Sequence, residues 1–354
     1  MPARIDLKDL ALAELEAFVA GLGERRYRAV QIFRWIQQRG ARSFAEMTDL
    51  PAALREQLPE CAEIGSLAVD VVQESADGTR KLLLRLSDGL AVESVLIPEE
   101  KRLTLCISTQ VGCALGCAFC ATGTMGFSRH LRPGEIVDQV LRAGELVGGA
   151  REVSNLVLMG MGEPLHNYDH TLKALRLLTD QNGLHFSPRR ITLSTVGLIP
   201  EMLRLGREIP VKLAVSLHAA DDETRGRLMP INKKYNLEAL LKACREFPRP
   251  QRLRITFEYV LLRGVNASVE HADRLGGLLR GLPAKVNLIP YNPHPGAPFE
   301  RPSDLEVAAF QHRLLAHDIP VMIRAPRGED IAAACGQLCV KTESKRDAPK
   351  AGQY

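Results

Sequence analysis

Residues 106–123 have the sequence CISTQVGCALGCAFCATG, which contains four of the eight cysteines in the chain. The last three, Cys113, Cys117 and Cys120, form a CxxxCxxC pattern. An apolar run, LTLCIS, comes shortly before this pattern and is typical of a buried strand. The surrounding window, 103–128, contains no Asp, Glu, Lys or Arg. These features predict a cysteine-lined loop after a strand, the end of the strand at which α/β folds commonly bind ligands.

The uncharged window is 26 residues long, which is enough to span a membrane. Its glycines, threonines and Gln110 argue against a span, because their polar groups would lack hydrogen-bond partners in lipid. No other stretch is long and apolar enough, and the N-terminal sequence MPARIDLKDLALAEL lacks the apolar core of a signal peptide. We therefore expect a cytoplasmic protein that does not cross a membrane. In that compartment clustered cysteines are expected to bind metal or act in redox chemistry.

The composition is that of a soluble globular protein. The 354 residues are 45% hydrophobic and 25% charged, which excludes a disordered or fibrous chain and suggests about two domains. The net charge of +4 permits a nucleic-acid partner without requiring one.

Strand-like and helical segments alternate from residue 102 onward. The strand-like runs are LTLCIS, NLVLM, ITLST, VKLAVSL, LRITFEYVL, VNLIP and VMIRA. Helical patterns occupy 133–146, 170–178, 199–205 and 237–245 between them. Repeated strand-helix units predict an α/β fold with a parallel sheet or barrel and right-handed crossovers.

The N-terminal third has a different pattern. Helical periodicity covers 7–22, 25–38 and 51–58, and short alternating runs with Asp-Gly turns then predict a small antiparallel element. The helices form either a packing domain or, given Arg25, Arg26 and Arg28, an appendage that contacts RNA. We expect four parts: a helical domain (1–62), a β connector (63–98), a core domain (99–340) and a flexible tail (341–354).

The cysteine pattern is suited to an iron-sulfur cluster. Three thiolates at these spacings can bind three of the four irons of a cubane and leave the fourth iron open, whereas a structural cluster normally has four cysteine ligands. An open iron is a place to bind and reduce a substrate. The alternative is a zinc site completed by a histidine such as His130.

The CxxxCxxC pattern, with an aromatic residue, Phe119, before its last cysteine, resembles the radical S-adenosylmethionine (SAM) superfamily. This resemblance implies a 4Fe-4S cluster whose open iron chelates the amino and carboxylate groups of SAM. Reduction of SAM then yields a 5'-deoxyadenosyl radical.

Other predicted strands end in residues suited to a SAM pocket. Gly160-Met-Gly162-Glu163-Pro164 follows the second strand of the core, where glycines admit close approach and Glu163 can pair with an amino group. Polar residues at the ends of later strands are Ser194, Ser216, His218 and Asn292. Each alone would be a common capping or turn residue, but their shared position predicts a site.

Longer phrases carry a closer resemblance. In order along the chain they are CISTQVGCALGCAFCATG, LMGMGEPLHNYD, ITLSTVG, LAVSLHA, IPYNPHPG and RGEDIAAACGQL. They resemble the RlmN-type adenine-C2 methyltransferases, a family within the radical SAM superfamily. The resemblance implies a partial (β/α)6-type barrel and methylation of C2 of adenine 2503 in 23S rRNA and of adenine 37 in tRNAs.

The resemblance also implies a role for individual residues. Cys335 would carry the methyl group as S-methylcysteine, Cys106 would resolve the protein-RNA adduct by forming a transient disulfide with Cys335, and Glu93 would accept the C2 proton. Two SAM molecules would be used in each turnover. The cluster ligands would be Cys113, Cys117 and Cys120, and the SAM-binding residues would be Gly162, Glu163, Ser194, Ser216, Leu217, His218 and Asn292.

Some of these residues have a simpler interpretation when taken alone. Glu93 would then lie on the solvated face of an edge strand, and Cys335 would be a small buried residue. Cys339 is an additional thiol without an assigned role. The implied partners are rRNA, tRNA, an external electron donor and a thiol reductant, and we expect a monomer.

Two other functions remain open at this stage. The related Cfr-type enzymes methylate adenine C8 with the same cysteine chemistry, although the GMGEP phrase favours the C2 enzymes. A metal-stabilised RNA-binding protein without catalysis is the second alternative, and it would not need Cys106 and Cys335.

Overall fold

We describe residues 4–249 and 253–340 of the chain in a computed structural model. The expected tail, 341–354, lies outside these residues. The α-helices are α1 (Leu12–Gly21), α2 (Tyr27–Gln37), α3 (Ala52–Cys61), α4 (Ala121–Thr124), α5 (Pro133–Glu145), α6 (Tyr168–Thr179), α7 (Ile199–Glu208), α8 (Asp222–Leu228), α9 (Leu237–Glu246), α10 (Val269–Leu279) and α11 (Asp304–Leu315). The strands are β1 (Ile5–Asp6), β2 (Ala62–Glu63), β3 (Ala68–Glu74), β4 (Arg80–Arg85), β5 (Ala91–Glu99), β6 (Arg102–Cys106), β7 (Gln110–Gly112), β8 (Phe127–His130), β9 (Asn155–Leu158), β10 (Ile191–Thr195), β11 (Lys212–Ser216), β12 (Ile255–Leu261), β13 (Ala284–Pro290) and β14 (Val321–Ile323).

A ten-stranded sheet forms the centre of the described structure, with the order β14-β13-β12-β11-β10-β9-β6-β5-β4-β3. Neighbouring strands from β6 to β14 are parallel, and β3, β4 and β5 add an antiparallel edge. In the described ranges β14 and β3 are opposite edges of the sheet, so the sheet is open, as a partial barrel requires. The α/β fold and all seven strands predicted for the core are confirmed.

The expected β connector is continuous with the core. Its three strands pair in register with β6 and thereby extend the same sheet by one antiparallel edge. This pairing brings Val95 opposite Cys106, the last residue of β6. Glu93, two residues before Val95, therefore lies on the same face of the sheet as Cys106 and beyond the carboxyl end of β6.

The parallel strands have one face against the helices and the other against a cavity. In β13, Ala284, Val286 and Leu288 are buried, whereas Lys285 and Asn287 between them are less buried and line the cavity. This alternation follows the two-residue period of a strand. Thr104 lines the same cavity from β6, which agrees with the inward direction expected for it.

The N-terminal helices differ from the expectation at their start. Periodicity predicted a helix from residue 7, but α1 begins at Leu12. The Glu14 carboxylate accepts a hydrogen bond from the Ala11 N–H at 2.7 Å, which caps the helix there. Leu7–Asp9 form a separate 3-10 helix, and the extended main chain of Leu10 and Ala11 separates it from α1.

Among the helices of the described residues, none combines the length and apolar character needed to cross a membrane. The uncharged window 103–128 instead forms β6, a loop, a short helix and the hairpin of β7 and β8.

Candidate active site

A cavity of about 160 Å3 lies at the carboxyl ends of the parallel strands. It collects residues from loops that are more than 200 residues apart in sequence. Most of the residues selected from the sequence line it, namely Cys113, Cys117, Cys120, Gly162, Glu163, Ser194, Ser216, His218, Asn292 and Cys335. Three other residues selected from the sequence, Cys106, Glu93 and Leu217, do not line this cavity.

The three-cysteine loop (residues 113–120) is held by main-chain hydrogen bonds to neighbouring segments. The Cys113 N–H donates to the Gly126 carbonyl at 2.8 Å, and the Ala118 N–H donates to the Leu228 carbonyl at 2.9 Å. Gly112 has a φ of +73°, and a Cβ at that position would collide with the Gly126 carbonyl. A glycine is therefore required where the chain turns into the loop.

The three cysteines are free, partly buried thiols. Burial raises the pKa of Cys113 to about 11 and also raises the pKa values of Cys117 and Cys120. Each thiol must lose its proton to ligate iron, so metal binding would release protons. In the described ranges no three His, Cys, Asp or Glu side chains are close enough together to hold a single metal ion. The cysteines instead share one wall of a cavity.

His130 does not complete a zinc site with these cysteines. Its Nδ1 lies 3.0 Å from the Gln110 amide nitrogen, and its ring packs against Phe127 and His166. None of these three rings lines the cysteine cavity.

The GMGEP turn presents its main chain and one carboxylate to the cavity. A Cβ at Gly160 would come within 2.7 Å of the Ile107 carbonyl, and Gly162 has a φ of +97°. The Glu163 carboxylate accepts hydrogen bonds from the N–H groups of Val196 at 2.9 Å and Leu165 at 3.1 Å. Burial nevertheless raises the pKa of Glu163 to about 7. The turn therefore offers a buried carboxylate suited to an amino group.

His218 is a neutral hydrogen-bonding group at the end of β11. Its Nδ1 accepts a hydrogen bond from the Val260 N–H at 2.9 Å, which leaves Nε2 as the protonated nitrogen. Burial lowers the pKa of His218 to about 3, and its ring packs edge-on against Phe119 at 4.7 Å. The neighbouring Leu217 side chain is fully buried in the core, so this residue can contact a ligand only through its main chain.

Asn292 links the cavity to the segment that carries Cys335. Its Nδ2 donates to the Cys335 carbonyl at 3.2 Å, while its buried Oδ1 has no hydrogen-bond partner. An unpartnered acceptor at this depth is costly and suits a ligand that donates a hydrogen bond.

The Cys335 segment (residues 327–340) is irregular and is held from two sides. On the cavity side, the Thr122 hydroxyl donates to the Leu338 carbonyl at 2.6 Å, and the Ala121 N–H donates to the Gly336 carbonyl at 2.8 Å. Both donors come from the helix that directly follows the three-cysteine loop. Cys335 and the motif cysteines are thereby fixed relative to each other.

On the other side, the antiparallel edge of the sheet holds the same segment. The Ser75 hydroxyl donates to Asp330 Oδ1 at 2.5 Å, and the Gly328 N–H donates to Asp77 Oδ2 at 3.2 Å. Lys81 Nζ donates to the Ala332 carbonyl at 3.3 Å. The strands of the expected connector thus also hold the Cys335 segment in place.

Glu93 is not on a solvated edge, which corrects the interpretation from the residue alone. Its strand lies between β4 and β6, and its side chain is buried, with 5% of the residue exposed. One carboxylate oxygen lies 3.1 Å from Lys81 Nζ, and the other accepts a hydrogen bond from the Cys339 N–H at 2.9 Å. Glu93 therefore contacts the Cys335 segment directly.

Cys106 lies at the end of β6 as a free, buried thiol. Burial, followed by the charge of the nearby Cys335, raises the pKa of Cys106 to about 12. Cys335 is also a free thiol. The two cysteines are close enough to interact electrostatically, although they are 229 residues apart in sequence.

Two charged residues of this region were missed by the sequence analysis. Arg324 follows β14 and interacts electrostatically with Cys335, Glu258 and Cys106, while its Nη1 contacts Met159 Sδ at 3.4 Å. Glu258 lies within β12 and lines the cavity. Arg324 could have been found, because it follows a strand, as the polar residues selected for the cavity do. Glu258 could not, because a carboxylate inside an apolar run gives no such pattern.

Comparisons with known proteins agree with this geometry. Residues 107–275 match the family model of the radical SAM superfamily, and residues 5–64 match that of the ribosomal RNA large subunit methyltransferase N-terminal domain. The chain is 54% identical to the dual-specificity RNA methyltransferase RlmN of Geobacter sulfurreducens, over 97% of this chain and 94% of that protein. It is 53% identical to the RlmN of Syntrophobacter fumaroxidans, over 94% of this chain and 97% of that protein.

A solved structure is similar over almost the same length. The crystal structure of a radical SAM methyltransferase from Sphaerobacter thermophilus aligns with a TM-score of 0.89 and 48% identity, and the alignment covers 94% of this chain and 99% of that one. Sequence identity above 50% along nearly the whole length, together with the cysteine cavity at the strand ends, establishes the relationship. The chain belongs to the RlmN family of radical SAM methyltransferases.

Proposed function

We propose that this protein methylates C2 of adenine in RNA, at position 2503 of 23S rRNA and position 37 of tRNAs. The main support is the position of Cys335, which shares one cavity with the CxxxCxxC cysteines and is within electrostatic range of Cys106. A protein that only binds RNA would need neither of these two thiols. Curated relatives named as dual-specificity RNA methyltransferases support the choice of rRNA and tRNA as substrates.

The residues at the cavity fit a 4Fe-4S cluster and SAM. Cys113, Cys117 and Cys120 would hold the cluster, which leaves one iron open. Glu163 would accept a hydrogen bond from the SAM amino group, and the unpartnered Asn292 Oδ1 is available to another donor. Further SAM contacts would come from Gly162, Ser194, the Ser216–His218 turn and the main chain of Leu217. When bound, the cluster and SAM supply the carbon-centred radical that this chemistry needs.

The radical is needed because adenine C2 is an electron-poor carbon, which ordinary alkylation by SAM cannot methylate. Cys335, as a thiolate, would first take the methyl group of one SAM, and the second SAM of the turnover would activate that group. Activation transfers one hydrogen atom from the S-methyl group to the 5'-deoxyadenosyl radical, and the resulting methylene radical adds to C2, so that the RNA is linked to Cys335 through a thioether. Cys335 therefore both carries the carbon atom and anchors the RNA.

Release of the product requires a base and a second thiol. Glu93 would take the proton from C2, and one electron would pass from the adduct to the redox partner of the enzyme. The Cys106 thiolate would then attack the Cys335 sulfur as the bond from that sulfur to the methylene carbon breaks, and that carbon would take up a proton to become the methyl group. The products would be methylated RNA and a Cys106–Cys335 disulfide, which a thiol reductant must reopen. Because both oxygens of Glu93 already have partners, one must exchange its partner before it can act as a base.

The N-terminal helical domain would contact the RNA. Arg25, Arg26 and Tyr27 are exposed at the start of α2, and the Arg28 guanidinium lies 4.7 Å from the centre of the Tyr27 ring. Such a basic and aromatic surface suits a nucleic acid. We further propose that the enzyme acts in the cytoplasm as a monomer and receives electrons from an external donor.

Mass spectrometry of nucleosides from treated RNA tests the proposed function. Anaerobically reconstituted enzyme, SAM, reductant and RNA should yield 2-methyladenosine. Appearance of 8-methyladenosine would identify the Cfr-type reaction instead, which the RlmN-named relatives do not favour. Formation of neither nucleoside, with intact SAM and bound zinc, would support the non-catalytic alternative.

A further inference from the structure

A second cavity borders the first and is lined by residues of every parallel strand of the large sheet, from β6 to β14. It measures about 380 Å3, which is within the range of pockets that hold small ligands. The two cavities meet along six shared residues, which are Met159, Glu258, Ile289, Asn292, Arg324 and Cys335. A group bound in the second cavity would therefore lie next to Cys335, which borders both cavities.

Glu258 and Asn287 present unused acceptors at this second cavity. They are paired in register on β12 and β13, and Asn287 Nδ2 donates to Glu258 Oε1 at 2.9 Å. Glu258 Oε2 and Asn287 Oδ1 are buried and have no hydrogen-bond partner. Glu258 is only 3% exposed, so its unpartnered oxygen is a substantial cost to folding. Two adjacent acceptors without donors suit a ligand group that carries two N–H bonds.

The outer part of the cavity is basic. Arg102, Lys212, Lys285 and Arg327 line it together with Glu99, which pairs with Arg102, and an adjoining cavity of about 770 Å3 adds Lys101, Arg190 and Glu100. Burial, together with the charges of Lys285 and Arg102, lowers the pKa of Lys212. A phosphodiester would relieve this crowding of cations, so the opening suits a nucleotide chain.

We propose that the target adenine binds in this second cavity and that Glu258, with Asn287 beside it, accepts hydrogen bonds from its 6-amino group. This inference rests on the proposed function and deepens it. The 6-amino group, N1 and C2 lie along one edge of adenine, so a base whose amino group is held at Glu258 has C2 near the same wall, which Cys335 lines. SAM would occupy the first cavity, on the other side of that wall.

The experiment compares two RNA substrates with several forms of the holoenzyme. The substrates carry either adenine or purine, which lacks the amino group, at the target position. Wild-type enzyme should methylate the adenine RNA about 10- to 100-fold faster, as expected for loss of a hydrogen bond to a charged group. In Glu258→Leu this preference should fall to about twofold, because both substrates then lack the contact. Glu258→Gln keeps one acceptor and should retain part of the preference.

Partial reactions separate this role from other roles of Glu258. Cluster content, SAM cleavage without RNA and methylation of Cys335 should be the same in Glu258→Leu and wild type. The matched control is Glu238→Leu, in the exposed first turn of α9, which should keep the full preference for adenine. Circular dichroism of both variants checks that they are folded.

Three results would decide against the inference. Equal rates of the wild-type enzyme on both RNAs would show that the 6-amino group is not recognised, whatever the fate of the variants. An undiminished preference in Glu258→Leu would assign recognition elsewhere, and a loss of SAM cleavage in that variant would assign Glu258 to SAM. Failure of the proposed function is distinguishable, because wild-type enzyme would then form no 2-methyladenosine from the adenine RNA.

Discussion

The three-cysteine loop and the Cys335 segment line the same cavity, but they are built in different ways. The loop is specified locally, by a spacing of cysteines and by a glycine that turns the chain into it. The Cys335 segment depends on partners from distant parts of the chain, including Thr122 on one side and Ser75 and Lys81 on the other. The proposed cluster ligands are therefore compact in sequence, whereas the proposed methyl-carrying cysteine is positioned by partners from distant parts of the chain.

Substitution of a loop cysteine should have the largest effect. Cys117→Ser removes one of three ligands, and we expect the reconstituted protein to lose its iron, SAM cleavage and all RNA methylation. Wild-type protein should bind about four iron and four sulfide ions. Iron and sulfide analysis, with SAM cleavage as the functional assay, measures the effect. The control is Cys61→Ser, a half-buried cysteine at the end of α3, which should keep the cluster. A full complement of iron in Cys117→Ser would contradict the assignment.

Substitution in the Cys335 segment should separate cluster chemistry from methyl transfer. Cys335→Ala should abolish RNA methylation but retain iron and SAM binding, because its side chain is not part of the three-cysteine loop. The control is Cys339→Ala, which should remain active because it keeps the main-chain N–H that donates a hydrogen bond to Glu93. Peptide mass spectrometry should find S-methylcysteine at 335 in the wild type and in Cys339→Ala. Methylation at 339 instead would exchange the two roles.

Cys106→Ala should stop the reaction one step later. Without the resolving thiol, the RNA should remain covalently attached to Cys335, so denaturing gels should show a stable protein-RNA complex. Turnover should fall to about one methyl-transfer event per enzyme, because the attached RNA occupies Cys335. Normal multiple turnover in this variant would show that another thiol resolves the adduct.

The same contrast explains how much of the molecule could be predicted from its sequence. The parallel strands were identified from short apolar runs, and residues at their ends were correctly expected to share a cavity, because parallel strands end at one edge of a sheet. The cluster loop was identified by spacing alone. These features are local in the chain or repeat along it.

The remaining features depend on contacts between distant segments. Glu93 taken alone suggests a solvated edge strand, since nothing near it in sequence reveals that Lys81 and the Cys339 N–H will contact it. The register of β4 against β5 places Lys81 diagonally opposite Glu93, and register is not visible in composition. Glu258 was missed for a similar reason, because its unpartnered oxygen is evident only once β12 is paired with its neighbours and the side chain is buried.

Substitution of Glu163, which follows β9 and lines the cavity, should have an intermediate effect on activity. Glu163→Gln removes the charge while preserving shape, and we expect SAM to bind about 10- to 100-fold more weakly to the reconstituted enzyme. The pKa of Glu163 is raised to about 7, and an ionised carboxylate is the better acceptor for the SAM amino group. Affinity in the wild type should therefore be complete above pH 7 and fall as the pH drops through 7.

The variant provides the control for this pH dependence. Glutamine does not titrate, so the affinity of Glu163→Gln should lack the step near pH 7, and any remaining slope would belong to SAM or the cluster. Titration of SAM binding at several pH values measures both proteins. Identical pH profiles would mean that Glu163 does not pair with the amino group.

Lys81 should have the smallest effect, and it tests whether the antiparallel edge of the sheet positions the Cys335 segment. Its Nζ contacts both Glu93 at 3.1 Å and the Ala332 carbonyl at 3.3 Å, so it joins the proposed base to the cysteine segment. Lys81→Met keeps the length of the side chain but loses both contacts. We expect release of the protein-RNA adduct to slow about fivefold, equivalent to about 1 kcal/mol, while S-methylation of Cys335 is retained.

Lys81→Arg should restore part of the rate of adduct release. The control is Arg80→Met, which should leave that rate unchanged, because the Arg80 side chain pairs with the exposed Glu74. If adduct release in Lys81→Met matched that of the wild type, the cavity-side hydrogen bonds from Ala121 and Thr122 would be sufficient to hold the segment, and the loop and the segment would share one local support.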